Sequence, residues 1–271
     1  MTANLSNLEP VSLNYETLGS DQAQTTIMLI HGLFGDLDNL KTLARQLAED
    51  YHCILVDVRN HGDSPHSDVM TYPAMATDIK ALMQKLGLPQ AIFIGHSMGG
   101  KIAMQVALHE PDLVKALVIA DIAPVAYDER HRYILDALNE IDPSQLSKRQ
   151  QADQQLAEHI GERGVRQFLL KNLELRGEHY EWRLNLPILV KNYEAITTGV
   201  SGTPYQGPAL FIKGAESDYI TSAHRATIQQ LFPHAEAKIM NGVGHWLHAE
   251  KPQVFNKLVS DFLTAQVANG D

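Results

Sequence analysis

The sequence predicts an α/β fold: a mostly parallel sheet flanked by helices, with one long helical insertion late in the chain. Three observations carry this expectation. Six apolar runs follow one another at residues 26–30, 53–56, 91–94, 117–120, 209–212 and 237–240. They are rich in Ile, Val, Leu and Phe and lack polar alternation, which is the pattern of parallel strands covered on both faces. Helical patterns separate most of them, and between Pro124 and Gly207 this rhythm gives way to polar and helix-forming residues.

Each element has its own local reason. Residues 11–18 alternate polar and apolar side chains, which suggests an antiparallel edge strand at the start of the sheet. Met75, Ile79, Leu82, Met83 and Leu86 share one helical face before Gly87 stops the helix. Ile102, Val106 and Leu108 give the segment after residue 97 a helical spacing. Inside the insertion, residues 144–161, 165–173 and 187–196 read as helices, with no convincing strand among them. The chain therefore divides into a core, residues 1–124 and 207–271, and a helical cap over residues 125–206.

Length and composition narrow the class. A chain of 271 residues with 44% hydrophobic side chains suits one α/β domain carrying an insertion. The formal charge of −10 argues against nucleic acid as a partner, because phosphate binding needs a basic stripe. The first ten residues have neither a basic start nor an apolar run, and no apolar stretch reaches membrane-spanning length, so neither a secretory signal nor a membrane span is expected. The single cysteine, Cys53, excludes an intramolecular disulfide and sits in an apolar run, where it is expected to pack as a small hydrophobe. These features together lead us to expect a cytoplasmic protein.

Three separated motifs carry chemistry. Residues Gly95-His96-Ser97-Met98-Gly99 join an apolar run to a helix, a tight strand-to-helix turn that exposes a nucleophilic serine above the sheet. The N–H of Met98, at the start of that helix, is placed to stabilise an oxyanion. Residues His31-Gly32-Leu33-Phe34-Gly35 end the first apolar run, and there Leu33 N–H is the second expected donor and Phe34 a pocket wall. His245, in the Gly-rich loop Asn241-Gly242-Val243-Gly244-His245 after the last run, is the expected general base. His248 would be turned away from that position, and His31 and His96 are expected to shape their loops. No zinc-type spacing such as His-Glu-x-x-His occurs, and neither a metal nor a cofactor is expected.

In these motifs, and in their order, the chain resembles the α/β-hydrolases over its length apart from the cap. Asp57-Val58-Arg59-Asn60-His61-Gly62-Asp63-Ser64 resembles the family's loop after its fourth strand. The combination with Gly-His-Ser-Met-Gly-Gly-Lys at residues 95–101 and Gly-His-Trp-Leu-His at 244–248 is similar to the bacterial YbfF-type esterases. The resemblance implies an eight-stranded sheet with the cap inserted after strand 6. It also implies cleavage of carboxylic esters, and of acyl-CoA thioesters, by a cofactor-free serine hydrolase acting on a small-molecule substrate.

The acid is where the sequence departs from the family's commonest pattern. In Gly214-Ala215-Glu216-Ser217-Asp218 the usual aspartate position holds Ser217, and Asp218 comes one residue late. Asp121, ending the strand after the serine, is the preferred partner of His245, with Ser217 in support and Asp218 as the alternative acid. Trp182, Tyr193, Phe168 and Leu169 are candidate pocket walls in the cap, and Arg130, Arg132, Lys148 and Arg149 are candidate contacts for CoA phosphates. Two rivals stay open at this point: a carbon–carbon bond hydrolase or lyase with the same triad, and a non-catalytic binding protein on the same fold.

Overall fold

The protein is described by a computed structural model that covers residues 8–268. Its main sheet contains β1 (Tyr15–Leu18), β2 (Thr26–Ile30), β3 (His52–Val56), β4 (Ala91–His96) and β5 (Val114–Ala120), and two later strands complete it. The interruption between β5 and the rest holds a hairpin, β6 (Leu173–Arg176) with β7 (His179–Trp182), after which β8 (Ala209–Gly214) and β9 (Ala235–Met240) rejoin the sheet. The spatial order is β1-β3-β2-β4-β5-β8-β9, with β1 antiparallel to β3 and all other neighbours parallel.

The first five apolar runs are buried on both faces, as their composition requires, whereas the run at residues 237–240 lies on edge strand β9 and leaves Ala237, Lys238 and Ile239 exposed. Ile27, Met28, Leu29 and Ile30 of β2 are at most 1% exposed. One face is covered by α2 (Tyr72–Lys85) and α3 (Met98–His109), and the other by α1 (Lys41–Leu47) and the C-terminal helix Pro252–Ala268. Helix α2 starts where the Thr71 hydroxyl accepts from Ala74 N–H, buries Met75, Ile79, Leu82 and Met83, and ends before Gly87 at φ +66°. Cys53 is fully buried, and burial pushes its thiol up to about 12, which leaves it a packing group.

Three expectations need correction. The eight strands are seven in the main sheet among the described residues, because the segment before β1 is held by side chains and not by a further strand. Val11 N–H donates to Asp78 and Asn14 N–H to the Ser64 hydroxyl. For the same reason the insertion follows the fifth strand in chain order, not the sixth. The insertion is also not all helical. Gly177, at φ +65°, turns the β6–β7 hairpin, whose strands are too short for their alternation to stand out. Around the hairpin lie α4 (Arg132–Asn139), which periodicity did not pick out, then α5 (Arg149–Ala157), α6 (Arg163–Leu169), α7 (Leu186–Lys191) and α8 (Tyr193–Thr197).

Candidate active site

Strand β4 lies between β2 and β5, so whatever follows it emerges near the middle of the sheet's C-terminal edge. Ser97 stands there at φ 52°, ψ −119°, a costly conformation for a side chain larger than glycine. Its N–H donates to Ala120 O at 3.0 Å, which pins the turn to the end of β5. The flanking glycines are needed sterically. A Cβ on Gly95 would lie 2.3 Å from Gly99 O, and one on Gly99 would lie 2.2 Å from Ile30 O.

The other sequence-predicted groups converge on this serine. His245 Nε2 lies 3.0 Å from Ser97 Oγ, and its Nδ1–H donates to Asp121 Oδ2 at 2.8 Å. Asp121 is fully buried at the end of β5 and is compensated by donors: Gly214 N–H reaches Oδ1 at 3.0 Å and the Ser217 hydroxyl donates to Oδ2. Asp218 points the other way, out to Arg130, and its side chain is 73% exposed. The base loop is held from two sides. His96 Nε2–H donates to the His245 carbonyl at 2.9 Å, and the Tyr219 ring stacks on the imidazole with centroids 4.0 Å apart.

The oxyanion loop is built by neutral histidines. Gly32 abuts the nucleophile, since a Cβ there would lie 3.3 Å from Ser97 Cβ. The next N–H, on Leu33, and that of Met98 at the first position of α3 have no protein acceptor among the described residues. His31 donates from Nδ1 to Gly32 O at 2.8 Å while its Nε2 accepts from Val58 N–H at 3.0 Å. His61 donates from Nδ1 to Arg59 O and accepts Phe34 N–H at 3.2 Å. Burial pushes His61 down to about 3 and lowers His31, so both rings keep the lone pair these contacts require. Arg59 itself is clamped by Asp78 through two 2.6 Å contacts, which fixes the loop after β3 on α2.

Two cavities meet at Ser97. The first has Leu33, Phe34, Phe168, Leu169, His245 and Trp246 in its wall. The second includes Tyr72, Lys101, Tyr127, Arg130, Tyr193 and Tyr219. Of the pocket residues expected from sequence, Phe34, Phe168, Leu169 and Tyr193 lie on these walls. Trp182 does not: it ends β7 and packs, partly buried, against the large apolar cluster shared by the insertion and the core. Trp246, beside the base, takes the place foreseen for an aromatic wall. The candidate phosphate contacts are largely engaged elsewhere, Arg130 with Asp218, Arg132 with Glu129 and Arg149 with Leu173 O. Tyr127, His131, Tyr219 and Lys101 went unnoticed in the sequence. Only Lys101 had a signal there, its place four residues after the serine on the same helical face.

A strand-borne serine, a histidine loop after the last strand and a buried acid between them define a hydrolase-type α/β fold. The family described as alpha/beta hydrolase fold matches residues 25–176, and the chain belongs to that family. It is 41% identical to the esterase YbfF of Escherichia coli (strain K12), over 93% of this chain and 98% of that protein. It is 40% identical to the sn-1-specific diacylglycerol lipase ABHD11 of Mus musculus, over 95% of this chain and 87% of that protein. Among solved structures, a marine microorganism esterase superposes with a TM-score of 0.90 at 39% identity, covering 93% of this chain and 99% of that one.

Proposed function

We propose that the chain hydrolyses carboxylic esters of small molecules through an acyl-enzyme on Ser97. The observation that carries this reading is the continuous chain of contacts from Ser97 Oγ through His245 to buried Asp121, beside two N–H groups left without acceptors. His245 takes the serine proton as Ser97 attacks the acyl carbon, then returns it to the leaving oxygen. Asp121 holds the imidazole in the tautomer whose Nε2 is free to accept. Leu33 and Met98 N–H groups meet the oxyanion, and water resolves the acyl-enzyme by the same proton path in reverse.

The general acid must reach the leaving group, so the cavity walled by His245 and Trp246 is assigned to that group, and the cavity on the far side of Ser97 to the acyl part. Residues 125–206, as a cap, supply most of the outer wall of both. Thioesters are an extension of the same chemistry. A carbon–carbon bond hydrolase would use the same triad, and a panel of esters, thioesters and diketones separates the readings. Turnover of esters with stoichiometric fluorophosphonate labelling of Ser97 is the expected result. Diketone cleavage without ester turnover, or labelling elsewhere than Ser97, overturns it.

A further inference from the structure

Lys101 is the one cation buried against the proposed acyl cavity without a carboxylate partner among the described residues. It lies on α3 four residues after Ser97, and side chains on a helix lean toward its N-terminus, so the ammonium is carried back toward the nucleophile. The residue is 1% exposed. Its Nζ donates to Thr198 O at 2.5 Å, reaches Thr197 O at 3.4 Å, and stands over the rings of Tyr127 and Tyr72 at 4.7 and 5.4 Å from their centroids. Carbonyls and ring faces recover part of the cost of taking an ammonium out of water, but a full countercharge is missing. Burial pulls its pKa down to about 7, as it does for a cation that lacks an anion. Arg130, in the same wall, is already matched by Asp218, and Asp128 stands on the exposed rim where solvent screens it.

We propose that this cavity is an anion subsite in which Lys101 receives a carboxylate at the far end of a short acyl chain, a reading that rests on Ser97 being the acylated nucleophile. Ser97 and Lys101 line the same cavity, so a short acyl chain held at the serine can present a far carboxylate to the ammonium, as a hemiester of a four- or five-carbon dicarboxylic acid would. The tyrosines around the ammonium exclude water from the pair and so strengthen it.

Initial rates on monoethyl succinate and on ethyl 4-methylpentanoate, its uncharged shape match, isolate the charge with the leaving group held constant. The unmodified protein is expected to prefer the charged ester in kcat/KM, chiefly through KM. Lys101→Met is expected to lower the charged-to-neutral ratio by about tenfold or more, and Lys101→Arg to restore part of it. A ratio at or below one in the unmodified protein overturns the subsite, and that measurement stands even if Lys101→Met does not fold. A ratio untouched by Lys101→Met also overturns it. Equal loss on both esters with a lowered Tm would mark Lys101 as a strut to the carbonyls that end α8, and would likewise overturn it. Unmodified protein that cleaves neither ester and resists fluorophosphonate overturns the hydrolase reading instead, whereas labelling of Ser97 with turnover of the neutral ester alone removes only the subsite.

Discussion

The sheet and the insertion are built in opposite ways. In the sheet, long apolar strands are fixed by their own composition, and the three side chains of the proposed triad sit at or just beyond strand ends: Ser97 after β4, Asp121 after β5 and His245 after β9. The insertion holds five α-helices of five to nine residues and a hairpin of two four-residue strands. Helices this short do not hold their shape alone, so packing on the core and on one another gives them their form. The proposed catalytic geometry thus belongs to the part whose shape is set locally, while the part whose shape is borrowed contributes His131, Phe168, Leu169 and Tyr193 to pocket walls that the core completes. Among the polar contacts that bridge them, buried Asn172 donates from Nδ2 to Phe34 O at 2.8 Å and also to Leu169 O.

Mutations that separate the two regions test this division. Ser97→Ala is expected to cut ester turnover by about ten thousandfold or more with circular dichroism unchanged, leaving only what binding and the oxyanion donors provide. Retained turnover in the folded variant would refute the nucleophile. Asp121→Asn is expected to cost about a thousandfold in kcat, because the amide favours the wrong imidazole tautomer, while Asp218→Asn changes kcat by no more than about threefold. The reverse pattern would move the acid to the loop after β8. Asn172→Ala strikes a buried bridge between the two regions. It is expected to destabilise the fold by about 1–2 kcal/mol in urea titration and to lower kcat several-fold through the loosened Phe34 carbonyl, with no shift in the pH profile.

The smallest effect concerns acid stability of the sheet side. His61, held at about 3 by burial, and His96, held well below its ordinary value by burial and neighbouring histidines, bind protons more readily when unfolded. Their contribution is complete above the ordinary value of 6.5 and is lost as pH falls from there toward the folded values. Tm is expected to fall between pH 7 and pH 4, and His61→Gln to flatten part of that slope. A Tm that is level or rising over the same interval in the unmodified protein would contradict the buried neutral state.

Legibility followed the same divide. The six apolar runs fall within observed strands, and Ser97, His245 and Asp121 stand in hydrogen-bond contact, because local pattern and register are written in neighbouring residues. Register marked Ser217 as a support for His245, but its hydroxyl donates instead to Asp121 from the loop after β8, a pairing that depends on where two separate strand ends meet. Helix α4, the hairpin and the placing of Trp182 were not readable, since four to eight residues carry too little periodicity and their positions depend on distant partners. The aromatic contacts of Tyr219 and Trp246 with His245 were equally silent, as they arise only when loops from different strands meet.

With the proposed acid at the end of β5, the loop after β8 need not supply the charge that steadies His245. Ser217 need only lend a hydroxyl to Asp121, and the residues after it are released for other work: Asp218 ties down Arg130, and Tyr219 becomes both a roof over His245 and a wall of the cavity proposed for the acyl part. Proton traffic and substrate choice therefore occupy adjacent but separable stretches of backbone. Variation at residues 218–220 offers a route to new substrate preferences that leaves the ionic centre of the reaction in place.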